Sequence, residues 1–93
     1  MPERGTIRLG GADYVIEAFT LDELQLAEGF FRALGAADPA QRYDAIRGLI
    51  GLALRRSPAE IGTVRTSFDE AMAAVAAIAA LAGVEKKTMP TLQ

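Results

Sequence analysis

Ser67 to Gly83, SFDEAMAAVAAIAALAG, is the stretch whose reading decides the fold. From Ala71 to Val84 it carries no charge, and it is mostly alanine with Met72, Val75, Ile78 and Leu81 set into it. Ser67 and Glu70 form the S-x-x-E pattern of a capping box, in which each side chain satisfies a free backbone N–H at the helix start. Gly83 stands where a left-handed helix stop belongs. At about 100° per residue, Phe68, Met72, Val75, Ile78 and Leu81 wind along one flank, and Asp69, Ala73, Ala76 and Ala80 line the opposite one. A helix apolar all round is buried or expects a partner. This one is too short to span a bilayer, which takes about 20 apolar residues.

Working outward, two further start signals precede it. Thr20-Leu21-Asp22-Glu23 is a capping box with Phe19 and Leu24 placed as a hydrophobic staple. It opens a helix to about Leu34, with Leu24, Ala27, Phe31 and Leu34 on one stripe and Gly35 as the stop. Leu26 and Phe30 fall beside that stripe, where they either widen the core face or form an interface. Asp38-Pro39-Ala40-Gln41 opens the next helix, with Asp as N-cap and Pro at the first helical position. Its apolar stripe is Tyr43, Ile46, Leu49, Ile50, Ala53 and Leu54. Arg55 and Arg56 sit in its last turn, and Ser57-Pro58 ends it. Gly48 and Gly51 are unusual there, since each costs about 1 kcal/mol relative to Ala inside a helix. They leave room for close approach by another backbone. Ser57-Pro58-Ala59-Glu60 repeats the capping pattern and predicts a short turn at 58–61.

Before the helices, Thr6-Ile7-Arg8-Leu9 and Tyr14-Val15-Ile16-Glu17 flank Gly10-Gly11-Ala12-Asp13 and read as a hairpin. Alternation puts Ile7 and Leu9 on one face, with Tyr14 and Ile16 on one face of the second strand. A lone hairpin is marginal in water, so this one must lie on helices or pair with another chain. The expected architecture is α+β and mainly α: a short N-terminal β-hairpin packed on a three-helix bundle, with helices near 21–34, 39–56 and 67–82. The chain reads as one domain over 1–93, with the hairpin at 6–19, the helical part at 20–84 and a flexible tail at 85–93. Met1 to Gly5 reads as a loose leader.

Composition narrows function by exclusion. With 93 residues there is one small core, and with no cysteine or histidine the usual thiolates, bases and metal ligands are missing. The acids Asp22, Glu23, Asp38, Asp69 and Glu70 all fall at helix starts, where capping accounts for them. No phosphate-binding glycine loop and no calcium loop is present. We therefore expect no enzyme, with no catalytic, cofactor-binding or metal residues. The net charge of −2 and pI near 5.0 speak against nucleic acid, and a helix-turn-helix would present alanines where base-reading side chains belong. No apolar run at the N-terminus resembles a signal peptide, so the expected location is the cytoplasm, with no membrane contact. What remains is protein binding. The candidate interface residues are Ala73, Ala76, Ala80, Leu26, Phe30, Gly48 and Gly51. Two arrangements of the alanine strip are open: it packs on Gly48 and Gly51 of the same chain, or it meets a second copy or a partner helix.

The order of features adds a resemblance. A hairpin with TIRLGGADYVI, then FTLDELQLAEGFF, then a helix ending IRGLIGLALRRSPAEI and a last helix SFDEAMAAVAAIAALAGV together resemble the small tail assembly chaperones of long-tailed bacteriophages and prophages. The likeness runs from Thr6 to Val84. In that family the last helix more often ends in Ser-Gly, where this chain has Ala82-Gly83. The resemblance implies a non-enzymatic helper in the host bacterium. It would bind the long helical tape measure protein and keep it soluble until tube subunits polymerise around it, with self-association possible. Two other classes fit the same residues: a structural virion component, such as a head–tail connector or tail-terminator-like ring protein, and a small helical protein-binding regulator.

Overall fold

Gly10 and Gly11 both take positive φ, 63° and 82°, which is the backbone of a two-residue type I′ turn. In the computed structural model, which describes residues 4–83, that turn joins strands β1 (Arg4–Leu9) and β2 (Ala12–Glu17) into an antiparallel hairpin. The turn is thus shorter than the four residues expected, and Ala12, Asp13, Arg4 and Gly5 are strand residues. Matched twist is the reason: a I′ turn lets pairing start at once, with Leu9 opposite Ala12. Ile7, Leu9 and Ile16 are buried and Tyr14 is half-buried on one face, as the alternation predicts.

The hairpin lies on helices α1 (Leu21–Ala33), α2 (Pro39–Leu54), the single turn α3 (Pro58–Ile61) and α4 (Phe68–Ala82). The α+β, mainly α architecture is the one expected. β1 packs on α4, β2 leans on α2, and α2 also receives α1, α3 and α4. The core is aliphatic: Leu9, Ile16, Leu49, Ile50 and Ile78 are fully enclosed, and each such side chain contributes about 1.5–3 kcal/mol of burial. Burial along α4 falls on Ala71, Ala74, Val75, Ile78, Ala79 and Leu81. The expected tail at 85–93, with Val84 and Met1 to Glu3, lies outside the described residues.

The helix ends are where sequence and structure part. α1 begins with the expected box, Thr20 Oγ1 accepting from Glu23 N–H and Glu23 Oε1 from Thr20 N–H. It ends at Ala33 with Leu34 still right-handed, so Gly35 is no left-handed stop; its N–H bonds the Arg32 carbonyl instead. α2 stops at Leu54, before Ser57-Pro58, because Arg55 turns left-handed at φ 59°. Arg56 N–H then donates to the Gly51 carbonyl at 2.8 Å and Arg55 N–H to Leu52, the bonding of a Schellman turn. An arginine in that conformation costs about 1–2 kcal/mol. Its guanidinium is tied back to the Glu23 carboxylate, which clasps the end of α2 to the start of α1. Gly83 does take the left-handed stop, at φ 81°.

Candidate protein-binding surface

The seven interface candidates do not converge on one surface. Ala73, Ala76 and Ala80 face water along α4, and Leu26 is exposed on α1. Gly48 and Gly51 are buried elsewhere, so the packing of the alanine strip on these glycines is overturned. A Cβ on Gly48 would sit 2.4 Å from the Phe30 ring, and one on Gly51 would sit 2.7 Å from the Arg56 carbonyl oxygen. Gly48 is therefore the seat of Phe30, and Gly51 makes room for the Schellman turn. Phe30 is half-buried in that seat, joining α1 to α2.

A different apolar surface stands out. Tyr43, expected on the core stripe of α2, is 45% exposed, and Phe68, expected on the core flank of α4, is 58% exposed. Their rings meet edge to face, with centroids 6.3 Å apart and planes at 69°. Two cavities open on either side of the pair. The larger, about 310 Å³, runs between Leu9, Ile50, Ile61 and Val64; the smaller, about 230 Å³, lies against Leu34 and Met72. Ile46 floors both. Phe68 is the first residue of α4, directly after its Ser67 cap, and Tyr43 lies in the second turn of α2. At such ends the helical stripe runs past the elements that would cover it. Exposed large aromatics beside apolar recesses are the usual anchors of protein interfaces.

Polar side chains line the recesses too: Arg47, Thr66 and Ser67 at the larger, Arg42 at the smaller. Arg42 donates to the carbonyls of Ala36 and Ala37, at 2.9 and 3.1 Å, bracing the loop before α2. Arg47 pairs with Asp44. Of the Ser67–Glu70 capping box only one half forms. Ser67 Oγ accepts from Glu70 N–H as expected, but the Glu70 carboxylate turns away from the Ser67 N–H. It accepts from Gly10 N–H at 2.6 Å and from the Thr66 hydroxyl, and lies 4.0 Å from Arg8. The Thr66 hydroxyl first, then the Gly10 N–H, hold its carboxyl below the usual range. The Thr20 N–H first, then Arg55, do the same for Glu23. Both carboxylates are thus braces between elements.

Among the described residues, no group of three or more acidic, histidine or cysteine side chains is placed to hold a metal ion. No helix among them is long and apolar enough to cross a membrane. Comparison with protein families, curated proteins and solved structures finds no match.

Proposed function

We propose that this chain is a non-enzymatic tail assembly chaperone. It binds the tape measure protein of a long-tailed phage or prophage and keeps it soluble, working in the host cytoplasm without a cofactor. The observation that carries the reading is the Tyr43–Phe68 pair, exposed between two apolar cavities on a domain whose core is already closed. A long helical client held apart from other chains needs such a surface: aromatic edges and recesses that accept leucine- or methionine-sized side chains at helical spacing. The order of hairpin, capped helix, arginine-ended helix and alanine-rich helix supports the same reading. Leu21 and Leu26 add exposed apolar area.

The test is co-expression with the tape measure gene, expected next to this one. The chain should move the tape measure protein into the soluble fraction and co-purify with it. Phe68→Ala should leave the circular dichroism spectrum unchanged and weaken binding about 30-fold, as loss of an interface anchor does. Retention of the chain in finished particles would point instead to a structural virion component, and equal binding by Phe68→Ala would move the contact elsewhere. Ala76→Glu then asks whether the exposed alanine strip takes part.

A further inference from the structure

The hairpin is a two-stranded sheet, so each strand has an open edge. Leu9 and Ala12 close the turn as a hydrogen-bonded pair, and alternation from there turns the N–H and C=O of Arg4, Thr6 and Arg8 outward on β1, and of Asp13, Val15 and Glu17 outward on β2. Among the described residues none of these backbone groups bonds to another element. The side chains of the same six residues share the solvent face and are all exposed. Their charges are sorted by strand. The β1 edge carries Arg4 and Arg8 around Thr6; the β2 edge carries Asp13 and Glu17 around Val15.

From this sorting we infer that the hairpin is a directional assembly edge, in which β1 of one copy adds antiparallel to β2 of the next. In the register of the hairpin itself, Arg4 of one copy faces Glu17 of the next, Thr6 faces Val15, and Arg8 faces Asp13. That register also brings every outward N–H opposite an outward C=O. A slip by one residue loses the bonds, and a slip by two loses the charge pairing. Charged edge residues ordinarily blunt a sheet edge against all partners. Here they reject only like edges: β1 on β1 opposes arginines, and β2 on β2 opposes carboxylates. Val15, 67% exposed on the open face, would gain a Thr6 neighbour from the adjoining copy. Each addition leaves one β1 and one β2 edge open, so the contact is head to tail and builds a ring or a spiral.

Sedimentation velocity and amide exchange across a concentration series test this. The average mass of the wild type should climb above the 9.9 kDa of one chain. The amides of Thr6, Arg8, Asp13, Val15 and Glu17 should become protected as it does. Arg4→Glu or Glu17→Arg alone should weaken association about three- to tenfold. The two variants mixed, or the two changes combined in one chain, should restore it. Val15→Pro removes one outward N–H while sparing the bonds within the hairpin, and should leave a monomer. The inference is overturned by a wild type that stays monomeric, by edge amides that remain open as the mass rises, by unrestored charge swaps, or by assembly of Val15→Pro. If a variant fails to fold, the wild-type exchange pattern decides. The edge is separate from the Tyr43–Phe68 surface, so Phe68→Ala should assemble normally, and the two proposals fail independently.

Discussion

Gly48 shows how a single residue can be puzzling in sequence and plain in structure. Replacing it with alanine removes about 1 kcal/mol of helix penalty. The added Cβ would stand 2.4 Å from the Phe30 ring, and overpacking of this kind costs about 1–3 kcal/mol. Gly48→Ala is therefore expected to lower stability in urea by about 1 kcal/mol. In a Phe30→Leu background, where the ring is gone, the same change should become neutral or stabilising. A Gly48→Ala protein that gains stability with Phe30 in place would mean the ring swings out freely. At Gly51 the obstacle is the Arg56 carbonyl, part of the backbone, so no side-chain change should rescue Gly51→Ala. Periodicity marks a helical glycine as odd but cannot say what fills its space, because the neighbour comes from a distant part of the chain.

At the scale of elements, the caps were legible because they are local. Thr20 with Glu23, Asp38 with Pro39, and Ser57 with Glu60 form where the spacing places them. Ser67 and Glu70 carry the same pattern, yet Glu70 braces the hairpin turn, a partner 60 positions away that spacing cannot reveal. Likewise Arg55 reads as a helix-end cation, but its left-handed backbone and its bond to Glu23 depend on where α1 lies. These braces have a pH signature. Glu23 and Glu70 are held below the ordinary carboxylate range when folded, so the unfolded chain binds more protons as acid is added. Their stabilisation is complete above the ordinary value of about 4.3 and is lost as the pH falls through the folded values. The urea midpoint should hold steady above about pH 5 and drop below it. Glu70→Gln should start lower at neutral pH and lose less on acidification, the two curves converging in acid. Parallel curves would show that Glu70 carries no linkage between hairpin and α4.

Across the whole molecule, stability is spread unevenly. α2 is the hub, with seven buried residues, and α4 has six, whereas α1 buries only Ala27. Among the described residues the one substantial neighbour of α1 is α2, through Phe30 on Gly48 and the Glu23–Arg55 clasp. An element held by one side is the first to open. The amides of α1 should therefore exchange at least about tenfold faster than those of Leu49, Ile50 and Ile78, through a local opening whose urea dependence is shallow. Arg55→Ala releases the clasp, and should speed exchange in α1 while leaving α4 and the hairpin unchanged. It keeps a non-glycine residue at the left-handed position, so the backbone cost there is not removed along with the bond. Exchange that rises equally in every element would instead mean that α1 and the hub unfold as one unit. The opening has a consequence for recognition, since Leu34 lies just past the end of α1 and lines the smaller cavity beside Phe68. A client that fills that cavity should slow exchange in α1 as well as at its own contact, and Arg55→Ala should then weaken binding without touching the client.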